Sequence, residues 1–139
     1  MAIIGQELVA SLREAFKALR AEVRLEVYTG AGQNEELSEF SRQFVRELAE
    51  LSDKISAAFY DLAGPEAAQK GISRSPTVLI APDRYRLRYT GAPAGEEARS
   101  FLEAIFMTSA GTSRLTEASR RRLAELDGRR RVRVFVSPT

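Results

Sequence analysis

Thiols, imidazoles and paired carboxylates carry most of the chemistry available to a small protein, and this 139-residue chain has no Cys and no His. Thiol redox chemistry, disulfides, Cys nucleophiles and Cys/His zinc sites are excluded. So is the side chain most often used as an acid or base near neutral pH. Catalysis would fall to carboxylates, Lys, Tyr or Ser. Glu35-Glu36 and Glu96-Glu97 are paired acids. Acid–base work would need a pocket and a reacting partner, whereas both pairs sit at expected helix starts, where the helix dipole favours negative charge. Gly30-Ala31-Gly32 lacks the spacing of a phosphate-cradling loop. Arg120-Arg121-Arg122 and Arg129-Arg130-Arg131 could neutralise phosphates. No nucleic-acid motif or interleaved aromatics accompany them. A solvated helix face and turn, or contact with a second domain, explains them more simply. Ser75-Pro76-Thr77 is the remaining group. A proline there fixes the start of a strand, where its missing N–H is tolerated. The Ser75-Pro76 bond could be cis, which in a folded protein is a deliberate feature.

The elements that must position these residues follow from periodicity. Leu8, Leu12, Ala15, Phe16 and Leu19 share one helical face, which predicts a helix over 6–19. Residues 23–28 alternate Val23, Leu25 and Val27 against Arg24, Glu26 and Tyr28, predicting a strand with one apolar face. A loop over 29–34 leads into a long helix over 35–53 with the stripe Leu37, Phe40, Phe44, Leu48 and Leu51. A strand over 55–62 follows, then a short helix begun by Gly64-Pro65 and running through Lys70. Val78-Leu79-Ile80-Ala81, a Pro82-Asp83 turn and the alternating Tyr85-Arg86-Leu87-Arg88-Tyr89 predict a hairpin. Gly91-Ala92-Pro93-Ala94-Gly95 breaks the chain before a helix over 95–107. A further helix marked by Leu115, Ala118, Leu123 and Leu126 ends at Asp127-Gly128, and the alternation of Val132, Val134 and Val136 predicts a last strand over 131–136.

Strand–helix–strand, helix, hairpin and helix is the thioredoxin order. The strand opened by Ser-Pro-Thr, the hairpin and the stretch RYTGAPAGEEARSFLEAI resemble the second half of that fold. The resemblance covers nearly the whole chain. It is to the N-terminal unit of two tandem families: the glutaredoxin-like protein disulfide oxidoreductases of thermophiles, and the alkyl hydroperoxide reductase flavoprotein subunit. It implies an α/β thioredoxin-like fold, with a central mixed sheet flanked by helices, over 1–108. An extra helix precedes this fold, and a helix–strand extension over 109–139 begins a second unit. VRLEVYTG and VRVFVSPT have matching patterns at matching places. In such proteins a CxxC motif sits at the helix N-terminus after the first strand. Here residues 29–37 hold none, which is the condition of the peroxide reductase unit. Pro76 matches the family's cis-proline, beside which Ser75 and Thr77 could pair with an extended peptide.

The resemblance implies a non-catalytic thioredoxin-fold half of a disulfide-reducing or peroxide-linked electron-transfer protein. Such a half would act as scaffold or docking domain for a second thioredoxin-like domain that carries the thiols and meets the protein or peptide substrate. The first alternative is a redox-inactive interaction module that homodimerises, for instance through 131–136. The second is an Arg-rich nucleic-acid binder, which the missing motifs argue against. Residues 114–133 carry +5 and the rest −3. The chain alone is expected to be inactive, with no cofactor and no metal. No apolar run approaches the ~20 residues of a membrane helix, and the N-terminus does not read as a signal peptide. The expected setting is cytoplasmic, as one domain by length.

Overall fold

The strand Val23–Thr29 (β1) lies at the centre of everything else. The computed structural model describes residues 2–137. The order is α1 (Gln6–Phe16), β1, α2 (Glu35–Glu50), β2 (Ile55–Asp61), α3 (Pro65–Lys70), β3 (Thr77–Ile80), β4 (Leu87–Thr90), α4 (Glu97–Ala110) and α5 (Glu117–Ala124). The four strands form one mixed sheet in the order β2-β1-β3-β4. β1 and β2 run parallel with Val23 opposite Ile55 and Thr29 opposite Asp61. β3 is antiparallel to β1, with Val78 opposite Val27. β4 is antiparallel to β3, with Thr77 opposite Thr90.

The period-two pattern of β1 sends Val23, Leu25 and Val27 to one face. There they meet Leu12 and Phe16 of α1, Phe44, Val45 and Leu48 of α2, and Phe101 and Ile105 of α4. Phe101 lies edge-on to both Phe44 and Tyr89. The polar face of β1 is not in water either. Glu26 is only 5% exposed and Tyr28 is fully buried, because Ala67 of α3 and Ile72 after it close over this side beside Leu79 of β3. Alternation shows that a strand has two faces. It does not show that both are covered.

Several boundaries differ from the sequence reading. α1 stops at Phe16, yet Leu19 is still buried. The β3–β4 turn is longer than Pro82-Asp83. Ala81 takes a left-handed φ of 48°, and its carbonyl accepts from the N–H of both Arg84 and Tyr85. This adds a helical turn, so β4 starts at Leu87 rather than Tyr85. Arg84 pins that turn by donating to the carbonyls of Thr108 (2.9 Å) and Glu22 (2.7 Å). The strand expected over 131–136 is not formed: residues 131–137 take no regular structure. A single strand has no partner for its backbone groups and does not stand alone in water. Pro138 and Thr139, which continue the match to VRLEVYTG, lie outside the described residues. No helix among the described residues is long and apolar enough to cross a membrane.

Ser41 on α2 is fully buried, and its hydroxyl has no hydrogen-bond partner among the described residues. A buried hydroxyl without a partner opposes folding, and Ala is the better helix former. Ser41→Ala is therefore expected to leave stability unchanged or raise it by up to about 1 kcal/mol in urea unfolding. A loss of that size would show that the hydroxyl is satisfied.

Candidate functional site

The loop before β3 meets the start of α2, and the chemistry-bearing residues at that junction are Ser75, Pro76, Asn34 and Ser38. The Ser75-Pro76 peptide bond is cis. Thr77 donates its hydroxyl to the Arg74 carbonyl at 2.7 Å, folding the turn that leads into it. Past the proline, the Pro76 carbonyl accepts from the Gly91 N–H at 2.9 Å, which ties the loop to the end of β4.

Ser75 makes three contacts with the segment after β1 and the first turn of α2. Its hydroxyl oxygen accepts from the Gly30 N–H at 2.9 Å and lies 2.7 Å from the Ser38 hydroxyl. Its carbonyl accepts from the Asn34 side-chain amide at 3.0 Å. Ser38 in turn donates to the Gln33 carbonyl at 3.3 Å. Asn34 stands at the N-cap of α2 in the left-handed region, with φ 43°, and makes no side-chain cap bond. Asn tolerates that conformation, and its amide is spent on Ser75 instead. Glu35 accepts from the Gly32 N–H at 3.2 Å, so this carboxylate holds the loop rather than facing a reacting group.

The arrangement is a closed clasp. Ser75 and Thr77 are each 2% exposed and Pro76 is fully buried. The structure thus brings the three expected docking residues together, but beneath the surface. The exposed rim is 31–37, including Leu37. The two serine hydroxyls touch, but among the described residues no general base bonds to them, and nucleophilic catalysis needs one. Glu96-Glu97 is elsewhere: Glu97 accepts the Tyr89 hydroxyl, which burial and this bond hold above the ordinary tyrosine range. Among the described residues no group of three or more His, Cys, Asp or Glu is placed to hold a metal. The Arg clusters are exposed on and after α5.

The sequence reading missed a second group of charges, on the covered face of β1. Buried Glu26 accepts from Lys70 (2.5 Å) and the Tyr28 hydroxyl (2.7 Å) with one oxygen, and from Arg24 (2.8 Å) with the other. Arg24 also donates to the Tyr60 hydroxyl at 2.8 Å, and the Tyr28 and Tyr60 rings stack at 5.1 Å. Burial pushes the Glu26 carboxyl upward, but the bonds from Lys70, Arg24 and Tyr28 outweigh it and the net shift is downward. Burial and the Glu26 bond push the Tyr28 hydroxyl up to about 12. Lys70 is lowered by burial and raised by Glu26 and Tyr28, for a net rise. Both Glu26 oxygens and the Tyr28 hydroxyl are bonded within the group, which fits a structural role. Its only signal in sequence is an acid and a base on the polar side of a strand, a pattern equally at home in solvent.

No protein-family model matches the chain, and no curated protein matches it. Solved structures do. A protein disulfide oxidoreductase from Aeropyrum pernix K1 is similar at 25% identity over 90% of this chain and 56% of its own length, with a TM-score of 0.77. The alkylhydroperoxide reductase AhpF of Enterococcus faecalis V583 is similar at 20% identity over 89% of this chain and 61% of its own, with a TM-score of 0.73. The separately solved NTD_N/C domain of AhpF gives 22% and 0.72. The fold is thioredoxin-like. The chain spans 56% to 61% of the length of these structures.

Two outcomes follow. Asn34→Ala removes the bond to the Ser75 carbonyl and places a Cβ-bearing residue without Asn's tolerance at φ 43°. It should cost about 1–2 kcal/mol in chemical denaturation and speed hydrogen exchange over 30–38; unchanged exchange there would contradict the clasp. Glu26→Gln leaves Lys70 and Arg24 without their anion. Their side chains are 37% and 42% exposed, so water screens part of the loss, and about 2 kcal/mol at pH 7 is expected. The folded Glu26 value lies below the unfolded one. Its contribution is therefore complete above about pH 4.3 and fades as pH falls through the folded value. The gap between parent and variant should shrink in acid; a gap that does not change with pH would contradict this account.

Proposed function

We propose that this chain is a redox-inactive thioredoxin-fold scaffold or docking domain of a disulfide-reducing or peroxide-linked electron-transfer protein whose thiols lie elsewhere. The observation that supports it most is the clasp. The cis-proline loop and the α2 N-terminus are both formed and joined, while the position where a low-pKa thiol would profit from the helix dipole holds Asn34 and Glu35. The matched protein disulfide oxidoreductase and alkylhydroperoxide reductase are longer than this chain. Helix α5 and the 131–136 segment repeat the order of α1 and β1 in sequence, which supports reading 109–139 as the start of a second thioredoxin-like unit. The docking surface in this reading is the rim at 31–37, where exposed Leu37 stands among Glu35, Glu36 and Glu39. The buried trio Ser75, Pro76 and Thr77 shapes that rim from below.

A second reading is a redox-inactive interaction module that homodimerises. Val132, Val134 and Phe135 are 84%, 79% and 89% exposed, and a β-prone apolar run left open recruits a strand partner.

Insulin reduction in dithiothreitol tests the proposal. The purified chain should add nothing to the reductant's own rate. Turnover above that background would overturn it.

A further inference from the structure

The sheet has two edges, and they differ. β4 is four residues long, carries Arg88 and follows Arg86. The Arg88 guanidinium folds onto the carbonyls of Lys70 and Gly71. Short length and edge charge are the means by which natural sheets discourage further pairing. β2 has less of both, its one charge, Asp61, standing at its last residue. It is seven residues long, and from Ile55 to Tyr60 it contains no charge, no Pro and no Gly. Among the described residues its only strand partner is β1. The bonds from the Val23 N–H to the Lys54 carbonyl and from the Leu62 N–H to the Thr29 carbonyl fix which residues face β1. By alternation, Ala57 and Phe59 turn their N–H and C=O groups outward.

The chain also holds an unpaired segment of matching length and opposite charge. Residues 131–137 are exposed and unstructured, with Val132, Val134 and Val136 alternating against Arg131, Arg133 and Phe135. Run antiparallel to β2, this segment brings Arg129, Arg130 and Arg131 to the Asp61 end. The other end, Asp53-Lys54, is neutral in sum. With Arg131 opposite Asp61, Arg133 falls opposite Phe59 and Phe135 opposite Ala57, on the face of β2 that carries its apolar residues. Phe59 already holds Arg46 over its ring at 4.9 Å, so a second guanidinium at its edge suits it. Val134 falls opposite Ala58.

We propose that the outer edge of β2 is the receiving surface for residues 131–137 of a second copy of this chain, exchanged reciprocally in a two-fold dimer. This rests on the homodimer reading and adds to it which edge is used, in which direction and in which register. Light scattering and cysteine cross-linking test it, since any introduced thiol is the only thiol in the chain. The parent chain should elute at about twice 15.4 kDa. Val134→Lys, at an exposed position that cannot disturb the core, should weaken the dimer roughly tenfold or more. Ala58→Cys chains mixed with Val134→Cys chains should form a disulfide-linked dimer on mild oxidation, because Ala58 and Val134 make a non-hydrogen-bonded pair with close Cα atoms. Arg88→Cys mixed with Val134→Cys should not. A monomeric parent chain would overturn the homodimer reading and the strand exchange together. A dimer that cross-links through Arg88→Cys, or not through Ala58→Cys, would overturn the exchange on β2 and leave the homodimer reading standing.

Discussion

Ser75 joins the two loops that define one end of the sheet. Its hydroxyl and carbonyl are both committed to the segment after β1 and the first turn of α2, through Gly30, Ser38 and Asn34. Ser75 and Ser38 are buried, and a buried polar group without its partner costs about as much as the bond it lost. The loop at 30–34, the start of α2 and the cis-proline turn therefore hold together or loosen together. The same bonds explain why the site is chemically quiet. The carbonyl and hydroxyl that could meet a ligand are already satisfied inside the protein, and no base or thiol stands beside them.

β1 carries this arrangement because both of its faces are covered. On one side Val23, Leu25 and Val27 join the main core. On the other Glu26 gathers Lys70, Arg24 and Tyr28. Lys70 ends α3, so the ion pair fastens that short helix to the sheet where its few apolar contacts alone would be weak. A central strand covered on both faces leaves only the sheet's edges open, and the contrast between β2 and β4 then becomes the main asymmetry of the molecule.

Much of this was legible in the residues. The apolar stripes of α2 and α4, the alternation of β1 and the proline at the N-terminus of α3 locate their elements to within a few residues, because apolar spacing follows the side that faces the main core and the proline marks a first helical turn. The thioredoxin-like order follows from them together with Ser75-Pro76-Thr77. What escaped depends on partners distant in sequence. Glu26 is paired to Lys70, 44 positions away. Asn34 resembles an ordinary helix cap, while its amide bonds a carbonyl 41 positions on. The turn at Ala81 depends on Arg84 reaching Thr108 and Glu22. The strand pattern of 131–136 records what the segment can do, and pairing would require an edge that local sequence does not specify.

The proposed function implies a thioredoxin-type site that persists as geometry without its thiols. The most direct measurement is to place two thiols there, as Gln33→Cys with Glu36→Cys, the residue before the N-cap and the second helical position of α2, both exposed, which leaves the Asn34 bond to Ser75 in place. If the geometry is that of a thioredoxin site, the pair should close into an internal disulfide, and at least one thiol should titrate below the ordinary value of about 8.5. Two thiols that titrate normally and form no internal disulfide under mild oxidation would contradict the account.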